Sequence, residues 1–129
     1  MPVDSQTMSR ALSGIYALDV RPDWWKLPPS GSAVHWQAIQ DTIRQEDPLC
    51  RGVLVLGLSQ PEAELIGCFA TAAPFAIVKG FAIGRTIFQD VARAWFAGSM
   101  SDADACKTMA ANFSRLANAW HGARTAVAI

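Results

Sequence analysis

The sequence predicts an α/β fold built on a short parallel sheet, and three observations support this prediction. Short apolar runs alternate along the chain with segments whose apolar residues recur every three or four positions. The second of these runs is apolar at every position, as in a parallel strand covered on both faces. The 129 residues are 51% hydrophobic and 17% charged, which suits a single domain with a buried core.

The expected elements follow the order α-βα-βα-βα-α. Each helix is defined by an apolar stripe, and each strand by a short apolar run bounded by glycine, proline or a helix start. Alternation of this kind predicts right-handed βαβ crossovers and a parallel sheet. The expected ranges are a helix over about 5–18, a strand over 23–27, a helix over 32–46, a strand over 52–58, a helix to about 72, a strand over 77–83, a helix from 84–85 to 98, and a last helix from 101.

Local signals set several helix ends. Ser59 and Glu62 stand at the S-x-x-E spacing of a capping box and predict the start of the third helix. Gly98 is the expected stop of the fourth helix. Ser101, with Asp104 three residues later, predicts the start of the last helix.

Each of the two C-terminal helices carries an apolar stripe on one face, because its members recur at helical spacing, and the stripe of the last helix is expected to face the core. The stripe of the fourth helix consists of Phe88, Val91, Ala92 and Trp95. The stripe of the last helix consists of Met109, Phe113, Leu116 and Trp120.

Composition excludes several classes of function. Eleven basic and eleven acidic side chains, with no basic run, argue against nucleic acid or an anionic membrane as partner. No apolar stretch reaches the roughly 18 residues of a membrane span, and no signal peptide is expected. The odd, widely spaced Cys50, Cys68 and Cys106 predict buried, reduced thiols in a cytoplasmic protein. His35 and His121 have no second ligand at metal spacing, so we expect no metal and no cofactor.

Lys26 is a candidate Schiff-base residue. It lies near the end of the first strand, and parallel α/β sheets bind ligands at the carboxyl ends of their strands. Strand alternation puts Trp24 and Lys26 on one face and Trp25 on the other. Tryptophans and a proline beside a lysine limit its hydration, which favours the free amine that attacks a carbonyl. The alternative is a surface lysine whose stem packs on Trp24 while its head group reaches water.

Gly84, Arg85 and Thr86 join the third strand to its helix and form a candidate anion site. Glycine lets an anion approach the free amides of the helix start, and Arg85 and Thr86 add a guanidinium and a hydroxyl. Lys79, on the face expected to include Phe81, could contact the same anion or be a second candidate amine. The alternatives are an ordinary βα turn with a solvated arginine and a lysine at a frayed strand start. No nucleotide-binding motif is present.

Three segments resemble a known family: P-D-W-W-K-L at 22–27, R-G-V-L-V-L-G-L at 51–58 and V-K-G-F-A-I-G-R-T-I-F at 78–88. Over roughly residues 15–122 the chain is similar to the C-terminal part of an uncharacterised-domain family fused to 5-dehydro-2-deoxygluconokinase, the sugar kinase of myo-inositol catabolism. That family is related to class I, tagatose-bisphosphate-type aldolases with a TIM (β/α)8 barrel. The resemblance implies that residues 1–129 form one partial barrel domain containing the last three barrel strands.

The resemblance also implies an activity. The reaction is retro-aldol cleavage of 2-deoxy-5-keto-gluconate 6-phosphate to dihydroxyacetone phosphate and malonate semialdehyde. Lys26 matches the Schiff-base lysine on the sixth barrel strand, and Gly84 and Arg85 match the phosphate-binding turn after the eighth. The chain departs from the family pattern in its three-strand content and at Pro28, where class I relatives carry an acidic residue.

We therefore expect a carbohydrate-catabolic aldolase domain that acts on a phosphorylated sugar acid. The alternative is a non-catalytic remnant or assembly module, because three barrel strands leave two edges and an apolar face open. A homo-oligomer, or a partner that supplies the missing strands, would cover that surface. A flavodoxin-like binding domain would need a phosphate loop after the first strand, and Leu27-Pro28-Pro29 is a poor one.

Overall fold

The computed structural model describes residues 4–128, in which five helices alternate with three strands in the predicted order. The element types are confirmed, and the ends differ from the expected ranges by short stretches only. The elements are α1 (Thr7–Tyr16), β1 (Trp24–Leu27), α2 (Ala33–Glu46), β2 (Gly52–Leu56), α3 (Glu62–Ala72), β3 (Val78–Ala82), α4 (Arg85–Phe96) and α5 (Asp102–Val127).

The three strands form one parallel sheet in the order β1-β2-β3, which confirms the predicted parallel α/β fold. Trp24 pairs with Gly52 at the start of β1, and Leu27 pairs with Val55 at its end. Because the order in space follows the order in the chain, right-handed crossovers bring α2 and α3 to the same face of the sheet. The flanking helices extend this layer, since α1 packs on α2 and α5 packs on α3.

The core lies between the sheet and this helical layer. Trp36 and Phe69 are its largest fully buried side chains, and Phe69 stacks on Phe81 of β3. A buried polar side chain is paired within it: Gln40 Oε1 accepts a hydrogen bond of 3.2 Å from the Ile77 N–H. The other large, fully buried side chains come from the helices and the sheet: Leu12, Ile39, Ile43, Leu65, Leu116, Val53, Val55 and Val78.

The opposite face of the sheet, which we call the open face, carries Trp24, Lys26, Leu54 and Leu56. Trp24 and Lys26 are exposed, and the two leucines are half-buried. The expectation that the apolar second run is covered on both faces is therefore met only on the helix side. Within the described part of the chain, the sheet ends at β1 and β3 with no further strand beside them.

The predicted capping box at the start of α3 is wrong. The helix begins at Glu62 with Pro61 before it, and no side chain caps it. Ser59 lies instead in a tight turn, where the Gln60 N–H donates to the Gly57 carbonyl at 3.0 Å. Both central residues of that turn, Leu58 (φ 49°) and Ser59 (φ 62°), have left-handed backbone conformation. The turn carries Ser59 away from the α3 amides.

The predicted boundary between α4 and α5 is confirmed. Gly98 has a φ of 71°, and its N–H donates to the Trp95 carbonyl at 3.0 Å, which closes α4. The Ser101 hydroxyl accepts a hydrogen bond of 3.1 Å from the Asp104 N–H, which caps α5.

The apolar stripes of these two helices are buried only in part. Leu116 of α5 is buried, as predicted, and Val91 of α4 is buried as well. Phe88, Trp95 and Phe113 are each exposed by 43% or more, which the sequence did not predict. The physical reason is the position of α4 and the first half of α5 beyond β3, where the described chain has no further strand or helix to cover them.

Gly52 is the position at which the backbone leaves no room for a side chain. Its φ is +148°, and a Cβ would lie 2.8 Å from the Ile77 carbonyl oxygen and 2.5 Å from Lys79 Cγ. We expect Gly52→Ala to lower the free energy of unfolding by about 1–3 kcal/mol, the usual cost of a strained backbone, as measured by urea denaturation. The control Gly67→Ala, in the open surface of α3, should raise it by about 0.5–1 kcal/mol. Equal effects would contradict the strained geometry.

Ser59 offers a test of the turn before α3. An L-residue in the left-handed region costs about 1–2 kcal/mol, so Ser59→Gly should raise the free energy of unfolding by about 1 kcal/mol. The same change at Ser114, exposed on α5, should lower it by about 0.5 kcal/mol because glycine is a poor helix former. Thermal and urea denaturation of the two variants measure both effects. A loss of stability in Ser59→Gly would argue against this turn conformation.

Candidate functional site

A cavity of about 240 Å³ opens at the carboxyl ends of β2 and β3, where parallel α/β sheets bind ligands. The turn after β2 forms one wall, and the start of α4 forms the other. Its lining residues are Leu56, Gly57, Leu58, Ser59, Ala82, Gly84, Arg85 and Phe88.

The first turn of α4 carries unpaired backbone donors beside this cavity. Gly84 precedes the helix without a side-chain cap, and a Cβ there would lie 3.1 Å from the Phe88 ring. Among residues 4–128, no acceptor pairs with the N–H groups of Arg85 and Thr86. These amides and the helix dipole make the position suitable for an anion.

Arg85 and Thr86 would offer different groups to an anion. The Arg85 side chain is exposed, and within the described residues no carboxylate forms an ion pair with it. The Thr86 hydroxyl donates to the Gln60 carbonyl at 3.3 Å. Thr86 therefore offers an anion its N–H group, while its hydroxyl ties α4 to the turn before α3.

A second, polar cleft of about 430 Å³ adjoins the first and shares Ser59 and Arg85 with it. Across it Arg115 of α5 forms a two-point ion pair with Glu62 of α3, at 2.9 and 3.2 Å. The adjacent carboxylate raises the pKa of the Arg115 guanidinium. This pair could not be predicted from the sequence, because its members lie 53 positions apart and each is typical of a solvated helix face.

Lys26 lies on the open face, in register with Leu54 of β2. The predicted alternation of Trp24, Trp25 and Lys26 is confirmed. Trp25 points to the helical layer, where its Nε1 donates to the Tyr16 hydroxyl at 2.8 Å. Because Lys26 is exposed, the flanking tryptophans do not exclude water from its amine in the described chain.

The structure does not bring Lys79 to the cavity at the carboxyl ends of β2 and β3. Lys79 stands at the start of β3, five residues before Gly84, which corresponds to about 16 Å along an extended strand. A register shift leaves it without a partner on β2, and its side chain lies over Gly52. Phe81 packs instead against the core. The expected common face of Lys79 and Phe81 is wrong, because the irregularity interrupts the alternation.

The cysteines are free, and they differ from the prediction in their burial. Cys50 and Cys68 are half-buried, and burial raises the pKa of both thiols, which disfavours the reactive thiolate. Cys106 is exposed rather than buried, because it lies at the uncovered groove between α4 and α5.

Neither a metal cluster nor a membrane-spanning helix is found in the part of the chain that the structure describes. There, no three His, Cys, Asp or Glu side chains converge to hold a metal ion. The same residues contain no helix that is both long and apolar enough to cross a bilayer. His35 is half-buried on α2, and desolvation lowers the pKa of its imidazole.

Comparison with known proteins identifies a family but no characterised relative. Neither a curated protein nor a solved structure matches the chain. One family does match, over residues 1–124, and it covers all three strands and both clefts. The chain belongs to the family described as "Uncharacterized protein conserved in bacteria (DUF2090)".

Proposed function

We propose that the chain is an aldolase-like domain that uses Lys26 to form a Schiff base with a phosphorylated sugar acid. The observation that carries the proposal is the position of two groups on one sheet. An exposed amine lies near the carboxyl end of β1, and an uncapped helix start with Arg85 follows β3. A ketone phosphate could engage Lys26 at its carbonyl and the first turn of α4 at its phosphate.

The sheet order supports the barrel part of this proposal. Strands that follow one another in space as in sequence, with all crossover helices on one face, are what a sector of a (β/α)8 barrel contains. The open face would then correspond to the barrel interior. The relation to class I aldolases and to the kinase-fused family of myo-inositol catabolism is part of the proposal, and it rests on the segments around Lys26 and Arg85.

The proposed reaction begins when the neutral Lys26 amine adds to the C5 ketone of 2-deoxy-5-keto-gluconate 6-phosphate. Loss of one water gives an iminium, which acts as the electron sink. The C3 hydroxyl loses its proton, the C3–C4 bond breaks, and malonate semialdehyde leaves. The electron pair enters an enamine, which takes up a proton at C4. Water then releases dihydroxyacetone phosphate and the free lysine.

Trapping tests the proposed role of Lys26. Incubation with dihydroxyacetone phosphate and borohydride should add one reduced adduct to the intact mass, and peptide mapping should assign it to Lys26. Lys26→Ala should lose the adduct, and Lys79→Ala, which removes another exposed lysine of the same sheet, should retain it. Arg85→Gln should require a higher concentration of dihydroxyacetone phosphate because it weakens phosphate binding.

The absence of an adduct on the folded chain would contradict an activated amine in this chain by itself. Adducts spread over Lys26, Lys79 and Lys107 would also contradict it, since they would reflect only surface accessibility.

An assembly role is the second candidate function, and the exposed apolar surface favours it. Trp24 is 43% exposed on the open face, and both sheet edges lack a neighbour in the described chain. Apolar surface next to free strand edges is typical of an interface.

Sedimentation velocity tests the assembly role. We expect the wild-type chain to self-associate as its concentration rises, and Trp24→Glu to shift it toward the monomer. Val34→Glu also replaces an exposed apolar side chain by a carboxylate, but on α2, and should leave association unchanged. A wild-type chain that stays monomeric throughout would contradict self-assembly through this face.

A further inference from the structure

Few side chains of the helix that carries the proposed phosphate site are buried, although Ile87 is half-buried against the core. Val91 is the one buried residue among the described residues of α4, while Phe88 and Trp95 on its apolar stripe are exposed by more than 40%. A lightly packed element opens locally at low cost in free energy. Amides that bind an anion must nevertheless be held in a fixed direction. Polar contacts to the first turn of α4 are therefore needed to hold its amides in that direction.

A chain of hydrogen bonds connects α3 to this first turn through α5. Glu62 accepts two hydrogen bonds from Arg115, at 2.9 and 3.2 Å. The same guanidinium donates to Asn112 Oδ1 at 2.7 Å, which fixes the orientation of the Asn112 amide. Asn112 Nδ2 then donates to the Ile87 carbonyl at 2.8 Å.

The last hydrogen bond of this series reaches the candidate site. Ile87 is the third residue of α4 and directly follows Arg85, which lines the cavity, and Thr86, which lines the adjoining polar cleft. On the other side, the Thr86 hydroxyl is tied to the Gln60 carbonyl. The first turn is thus fixed between α5 and the turn that precedes α3.

We propose that Asn112 and Arg115 are positioning residues for the phosphate site at the start of α4. They would not touch the anion. They hold the first turn so that its two free amides and the Arg85 guanidinium converge on one phosphate without further ordering, and ordering that precedes binding improves affinity. This inference rests on the proposed function, because it presumes that the cavity takes a phosphate.

Inorganic phosphate is the probe for the test, with the backbone amide signals of Arg85 and Thr86 followed by ¹⁵N NMR. Asn112→Ala and Arg115→Lys should each weaken phosphate binding by about fivefold, the effect of losing one hydrogen bond of about 1 kcal/mol. Both substitutions preserve net charge, so a change in long-range attraction cannot cause the loss. Arg115→Lys keeps a cation beside Glu62 but cannot bridge Glu62 and Asn112 in the geometry of the guanidinium.

Two substitutions of the same kind on α5 serve as controls. Arg124 donates to the Ala73 carbonyl at 2.8 Å and joins α5 to the far end of α3. Arg124→Lys should lower stability without altering phosphate affinity. Asn118→Ala, at an exposed position where no side-chain hydrogen bond is found within the described residues, should leave phosphate affinity unchanged and slightly raise stability, because alanine is the better helix former. Asn112→Gln retains both polar groups of the amide and should recover part of the lost affinity.

The possible outcomes separate this inference from the proposed function. If phosphate changes the chemical shift of neither the Arg85 nor the Thr86 amide of the wild-type chain, the proposed phosphate site is wrong. The positioning role is then wrong as well. If wild type binds phosphate and the Asn112 and Arg115 variants bind equally well, the site stands and the positioning role is wrong. Urea denaturation of every variant supplies the stability measurement. Reduced affinity that also appears in Arg124→Lys would show a general loss of stability and would overturn the inference.

Discussion

The sequential pairing of three parallel strands is the constraint on which the rest of the structure depends. Crossovers between parallel strands are right-handed almost without exception, so two successive crossovers in the same direction bring both helices to one face. The burial of the strands follows directly. Val53 and Val55 of β2 are fully buried under the helices, whereas Leu54 and Leu56 on the other face are not. The apolar strand β2 is thus covered on only one of its two faces.

The same constraint determines the surroundings of the candidate site. α4 follows the last strand, so it lies at the edge of the helical layer with a neighbour on one side only. Its first turn is held by polar contacts, from Asn112 on α5 and from the Thr86 hydroxyl to the Gln60 carbonyl, and by Ile87, which packs against the core. Lys26 is exposed for a related reason, since it lies on the face that the crossovers leave uncovered.

Features that depend on local sequence could be predicted, and features that depend on distant contacts could not. The alternation of Trp24 and Trp25 and the cap at Ser101 require only neighbouring residues, and both are confirmed. The capping box assigned to Ser59 failed because a turn with left-handed residues precedes α3. The prediction of the sheet face on which Lys79 lies is wrong, because a register shift between β2 and β3 interrupts the two-residue period. Neither irregularity leaves a signal in the sequence.

In the candidate site, too, local features could be predicted from the sequence and distant contacts could not. The glycine and arginine at the end of β3 could be found because a strand-to-helix junction is visible in the sequence. The ion pair of Glu62 with Arg115 could not, because it forms only when α5 folds back onto α3. Asn112 was missed for the same reason: its partner is a backbone carbonyl, to which no residue type in the sequence points.

The proposed catalysis and the proposed assembly would make the same physical demand on this chain. An amine attacks a carbonyl only in its neutral form, and removal of water favours that form. The described chain leaves Lys26 exposed on a face that also carries Trp24 and two half-buried leucines. Whatever covers this face to bury the tryptophan also excludes water from the lysine beside it. Contact with further βα units, from this or another chain, would thereby stabilise the sheet and activate the amine together, so an assembly surface and an aldolase site can be one and the same surface.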